Sequence, residues 1–202
     1  MNSFVSNACY DDEDEEKVKK EPMQIDKETL LKTRIITLFS EINKDSAQSV
    51  IRQLIMLDSD DCTKPIWIYV NSPGGEVDSG LAIYDMIRFV KSPVNMLGVG
   101  LIASAATIIY CAVDKSHRFS LEHSTYLIHQ PLAKMRGVAI DVEIYAKKLD
   151  QIKKLLNTVL SQSTGKQLAD VENDTDRDYT MTAAEALQYG LVGRIIRNVS
   201  EV

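Results

Sequence analysis

Ser104, His129 and Asp178 are side chains of the three types that together carry out acyl transfer. Such a reaction needs a nucleophile presented at a sharp turn, a base within hydrogen-bond reach, a partner that orients the base, and N–H donors for the oxyanion. Ser104 lies in GLIASAAT, where an apolar strand is expected to meet a helix. At a helix N-terminus its oxygen would stand exposed beside free backbone N–H groups and the positive end of the dipole. His129, in YLIHQP, closes an expected strand ahead of Pro131, and Asp178, in DTDRD, sits in a polar loop. Gly74 and Gly75, in NSPGG, allow a ligand to approach the backbone closely. Each feature also has a plain structural reading: a helix N-cap, a hydrogen-bonded structural histidine, a solvated turn and a tight turn. Local context leaves both readings open.

The elements that must position these residues follow from periodicity. Arg34 to Leu38 and Ile66 to Val70 are short β-branched or continuous apolar runs, the second reading as a strand covered on both faces. Ser46 to Leu57 and Val77 to Val90 carry apolar residues at helical spacing, and a strand near Val94 to Val99 leads to a helix from about Ser104 to Ala112. This alternation predicts an α/β fold, a parallel sheet with helices packed on it. Short strands are expected at Arg118 to Leu121 and Thr125 to Ile128. Ile140 to Ser163 reads as a long helix, with Ile140, Ile144, Ile152, Leu155, Leu156, Val159 and Leu160 on one face and Gly165 as its C-cap. Thr182 to Tyr189 opens on a capping box, Thr182 with Glu185, ends at Gly190, and is followed by a strand over Leu191 to Ile196.

Composition narrows the function class. The chain has 202 residues, 45% apolar and 26% charged, as expected of one globular domain with a sizeable core. Of the formal charge of -6, the first thirty residues hold -5, leaving -1 for the rest. The six consecutive acids Asp11 to Glu16 resist packing, so residues 1–30 read as a solvated acidic arm and residues 31–202 as the domain. No basic stripe suggests nucleic acid. Cys9, Cys62 and Cys111 are odd in number and widely spaced, which fits free thiols in a reducing compartment; with no signal-peptide pattern, a cytoplasmic location is expected. Ser92 to Val113 lacks charge over nearly the length of a bilayer span, about 20 residues, but Pro93, Gly98 and Gly100 break it, so burial is expected rather than a membrane. No metal-ligand cluster and no GxxxxGK[ST] are present, so neither a metal nor another cofactor is expected, nor ATP hydrolysis by this chain.

The motifs VNSPGGEV, GLAIYDMIRFVKSPV, GLIAS, RFSLEHSTYLIHQPL, DVEIYAKKLDQIKKLLN and DTDRDYTMTAAEALQYGLV, running from about residue 31 to 196, resemble those of the ClpP family, the proteolytic subunits of the ATP-dependent Clp protease. Order and spacing agree with the family as well: 25 residues separate Ser104 from His129, and 49 separate His129 from Asp178. The resemblance implies a ClpP/crotonase-like ββα (βαβ) spiral with a protruding strand-helix handle. It also implies a serine endopeptidase that cuts unfolded polypeptides into short peptides, with Ser104 as nucleophile, His129 as base and Asp178 as orienting group. By the same carry-over, the N–H groups of Gly75 and Ala105 would form the oxyanion hole, and an extended substrate would pair against Gly74, Gly75 and Leu132. Trp67, Tyr69 and Phe89 would dock a hexameric Clp-type ATPase unfoldase, with core packing as the plainer role for the aromatics. Asp176 and Arg177 would couple neighbouring subunits. Two stacked heptameric rings are implied, homomeric or mixed with a paralogue.

Several residues depart from the family pattern. Ala105 and Ala106 stand where Met-Gly is usual, and Ala133 and Lys134 replace a glycine pair, which bears on substrate docking and ring contact. An acidic segment replaces the apolar axial-pore loop, and its acids would repel acidic substrates. Two alternatives carry different expectations: a structural ClpP-like subunit of a mixed ring, and a crotonase-type enzyme acting on acyl-CoA, which would not need this Ser, His and Asp set.

Overall fold

β-Branched runs and helical runs alternate along the chain because each buries a single face, and the products are layered accordingly. The computed structural model describes residues 27–132 and 136–201; the acidic run Asp11 to Glu16, Cys9, Ala133 and Lys134 lie outside them. The order begins α1 (Lys27–Thr33), β1 (Ile35–Leu38), α2 (Lys44–Asp60), β2 (Ile66–Ser72), α3 (Val77–Phe89), β3 (Val94–Ala103), α4 (Ala105–Tyr110). It continues β4 (Arg118–Leu121), β5 (Thr125–Ile128), α5 (Ala139–Thr164), α6 (Leu168–Asp174), β6 (Tyr179–Thr182), α7 (Ala183–Tyr189), β7 (Arg194–Ile196). Strands β1, β2, β3, β4 and β7 lie in that order, every pair parallel.

Strand β3 serves two neighbours. Its first half pairs with β4 through Met96 to Gly98, and its last three residues pair with β5 in parallel. Between the halves, Gly100 takes φ +70, and the Leu101 N–H donates to the Asn71 side chain at 3.2 Å. The glycines expected to end this strand near Val99 therefore bend it, and β3 continues to the residue before Ser104. The uncharged segment Ser92 to Val113 divides into β3 and α4, and no helix among the described residues is long and apolar enough to cross a membrane.

Two expectations need correction. Strand β2 is covered on one face only: Ile66, Ile68 and Val70 are fully buried, while Trp67 and Tyr69 stand half-buried on the other face, where Trp67 packs against Phe119 with ring centroids 5.3 Å apart. Helix α5 buries its apolar stripe only toward its C-terminal end, at Leu156, Val159 and Leu160. Ile140 and Ile144 are 60% and 61% exposed, because the helix extends past the core it packs on.

The terminal caps follow the sequence. Gly165 and Gly190 adopt the left-handed conformation that closes α5 and α7, and Thr182 and Glu185 form a reciprocal capping box at the start of α7. Helix α1 begins at Lys27 and puts Leu30 in the core, so packed structure starts a few residues ahead of the boundary drawn from charge.

Candidate active site

Strand pairing brings the three candidate side chains together. In the parallel β3–β5 ladder Ala103 pairs with Leu127, and the Ser104 N–H donates to the Leu127 carbonyl at 2.9 Å, so Ser104 occupies the next rung. In the antiparallel β5–β6 ladder Ile128 pairs with Tyr179, which sets His129 opposite Asp178 just beyond the paired residues. Three adjacent strand ends thus deliver one residue each. The Ser104 hydroxyl lies 2.8 Å from His129 Nε2, and His129 Nδ1 lies 2.9 Å from an Asp178 carboxylate oxygen. With Nδ1 protonated and donating to Asp178, Nε2 is free to accept the hydroxyl proton.

Ser104 is the N-cap of α4, with φ 55 and ψ -122. An L-residue takes up this region only under constraint, at a cost of roughly 1–3 kcal/mol, and such strain collects at functional turns. The side chain makes no capping bond, so the plain N-cap role does not account for it. Its hydroxyl points to the histidine instead.

The two glycines approach this turn from β2. A Cβ on Gly74 would lie 2.6 Å from the Ala103 carbonyl oxygen and 2.7 Å from Ser104 Cβ. Gly75 makes a parallel bridge with Ile42: the Ile42 N–H donates to the Gly74 carbonyl, and the Glu76 N–H donates to the Ile42 carbonyl, both at 2.8 Å. Because neighbouring peptide groups in extended chain point to opposite sides, the Gly75 N–H faces away from Ile42. Ala105 opens α4, where the N–H has no intrahelical partner.

An apolar pocket opens beside Ser104, lined by Leu81, Ile108, Ile128, Pro131, Leu156 and Leu160. A larger groove runs past both Gly75 and Leu132, so these two substrate candidates share one surface, with Leu132 82% exposed. The remaining candidates lie apart from it. Trp67 and Tyr69 meet edge to face on the outer side of β2 with centroids 6.5 Å apart, and Phe89, at the end of α3, is 81% exposed. Among the described residues no ring contact joins Phe89 to that pair. Asp176 and Arg177 are exposed in the loop before Asp178, where Lys153 Nζ approaches the Asp176 carboxylate at 3.9 Å.

Gln130 and Thr175 went unnoticed in the sequence. The Gln130 N–H donates to the Thr175 carbonyl at 2.6 Å, and its side-chain amide donates to the Asp176 carbonyl at 2.7 Å. The signal that would have found them is β6, whose antiparallel pairing carries residues 175–178 past 129–130.

The chain is similar to known proteins along most of its length. The Clp protease family matches residues 18–199. A protein of Treponema pallidum described as ATP-dependent Clp protease proteolytic subunit 2 is 49% identical over 172 residues, 85% of this chain and 86% of that protein. A Treponema denticola protein of the same description is 46% identical over the same shares. A solved structure of an asparagine-to-aspartate mutant of ClpP1 from Listeria monocytogenes superposes with a TM-score of 0.81 at 38% identity, covering 86% of this chain and 96% of that one.

Proposed function

The chain belongs to the Clp protease family as a serine-type proteolytic subunit, and we propose that it cuts unfolded polypeptide with Ser104 as nucleophile, His129 as general base and Asp178 as the group that orients the base. Ser104 Oγ attacks the scissile carbonyl while its proton passes to His129 Nε2. The oxyanion that forms is received by the N–H groups of Gly75 and Ala105, donors already in place before charge develops. His129 returns the proton to the leaving amine, the C–N bond breaks, and an acyl-enzyme remains. Water, deprotonated by the same nitrogen, then releases the acid and restores Ser104. Asp178 holds Nδ1–H throughout and stabilises the imidazolium.

The continuous contact from Ser104 through His129 to Asp178 carries this reading. The groove past Gly75 and Leu132, with Gly74 just ahead of it, suits an extended peptide pairing as a strand, with a side chain seated in the apolar pocket beside Ser104. The half-buried Trp67 and Tyr69, with exposed Phe89, are apolar enough to dock a hexameric Clp-type ATPase that supplies unfolded chain. Asp176 and Arg177 couple neighbouring subunits in two stacked heptameric rings. A fluorophosphonate probe is expected to label the wild-type protein and to leave Ser104→Ala unlabelled and inactive on a short fluorogenic peptide. Undiminished hydrolysis by Ser104→Ala would show that another group is the nucleophile.

A further inference from the structure

Asp178 is held loosely for a group that must orient a base. Its side chain is 72% exposed, and among the described residues its carboxylate hydrogen-bonds to His129 alone. An exposed carboxylate aligns an imidazole only if the backbone beneath it is fixed. Here that backbone is tied down from one side by Gln130, through the bonds to the Thr175 and Asp176 carbonyls. From the other side it is tied by Thr175, which is fully buried.

The Thr175 hydroxyl has one hydrogen and three partners in reach, the Val171 carbonyl at 2.8 Å, the Asn157 side-chain amide at 3.0 Å and, farther off, the Glu172 carbonyl at 3.4 Å. Asn157 is itself buried in α5, and its Nδ2 has no partner among the described residues while its oxygen faces the hydroxyl. An amide N–H left unpaired in the interior forfeits its hydration with nothing in return. Turning the amide so that Nδ2 donates to the hydroxyl, which then donates to Val171, gives the hydroxyl hydrogen and one amide hydrogen an acceptor. One turn earlier on α5, Lys153 Nζ lies 3.2 Å from the Gln130 side-chain oxygen.

We propose that Asn157 and Thr175, with Gln130, are positioning residues, a bridge through which helix α5 holds the 175–178 loop so that Asp178 stays aligned with His129. The inference rests on the catalytic assignment above and adds the source of its alignment. The hydroxyl is removed at nearly constant shape in Thr175→Val and kept in Thr175→Ser. In the assembled full-length protein, Thr175→Val and Asn157→Leu are expected to lower kcat on a short peptide by about tenfold or more with KM changed less than about twofold. Fluorophosphonate labelling of Ser104 slows in parallel, while Thr175→Ser stays near wild type. Wild-type kcat in an assembled Thr175→Val particle, or a loss that Thr175→Ser shares, overturns the proposal. If native mass shows that Thr175→Val does not assemble, Gln130→Met decides in its place: a kcat loss at constant KM supports the bridge, and wild-type kcat overturns it. Ser104→Ala, run beside these, separates the two readings, since activity there would fail the catalytic assignment whatever the bridge variants do.

Discussion

At the scale of the residue, the turn that presents Ser104 depends on an atom that is absent. Gly74, at φ +91, packs so closely on Ala103 and Ser104 that a methyl group has no room, and the nearest obstacles include backbone atoms of the turn itself. Gly74→Ala must therefore displace either β2 or the residues that carry the hydroxyl and the Ala105 N–H. We expect kcat for peptide hydrolysis to fall by about a hundredfold or more, the scale on which misplaced nucleophiles and oxyanion donors act. Gly165 is a fitting control. It too has positive φ, +79, but nothing lies within 4 Å of the position a Cβ would take. Gly165→Ala carries only the left-handed backbone penalty, about 1–2 kcal/mol, and should lower the melting temperature while leaving kcat unaltered. Equal activity of the two variants would mean that the glycine is needed for conformation alone and that the close approach to Ser104 is unimportant.

At the scale of the element, Asp58 shows how the strand bearing Ser104 is anchored. Near the C-terminal end of α2, where an acid is disfavoured by the helix dipole, its carboxylate accepts from the Lys91 N–H at 3.0 Å, the Ser92 N–H at 2.7 Å and the Ser92 hydroxyl at 2.9 Å, fixing the turn into β3. Burial alone would raise its pKa, but the bonds from Ser92 and Lys91 prevail and hold it below the ordinary value of 3.8. A folded-state pKa below the unfolded one means stability that is present at neutral pH and lost as pH falls through the folded value. Asp58→Asn should thus unfold earlier than wild type at pH 7, by about 1 kcal/mol after allowance for solvent. The difference should close below pH 3.8, and a gap that persisted under full protonation would contradict the charge-based account. Legibility in the sequence also divides at this scale. Strands β1 to β5 and helices α2, α3, α5 and α7 were readable because their apolar periods are clear. Helix α6 was not, having Val171 as its one buried residue, nor β6, whose four residues bury only Met181. Asp178 consequently read as a solvated loop, and the contact among Ser104, His129 and Asp178 depends on two strand pairings that no local pattern displays. Only the family-wide order of motifs carried that information.

At the scale of the whole molecule, α5 joins the site to surfaces the single chain leaves open. Its C-terminal part lines the pocket beside Ser104 through Leu156 and Leu160 and carries Asn157 to the loop of Asp178. Its N-terminal part holds Ile140, Val142 and Ile144 exposed, with Val138 just ahead of it, a cluster of large apolar side chains that a monomer would not keep in water. A rigid helix of 26 residues spans about 39 Å, so contacts at one end bear on the other. We expect burial of this exposed end against a second copy to support the geometry at Asp178. Replacing Ile140 and Ile144 together by lysine places two charges in that contact, where each would have to be desolvated without a partner. The double variant should fold, sediment as smaller species than the wild-type particle, and hydrolyse short peptides at least about tenfold more slowly, since alignment as well as enclosure is lost. Raising the protein concentration should restore mass and activity together by mass action. Full activity in dissociated subunits would show instead that α5 aligns the site without help from a neighbour.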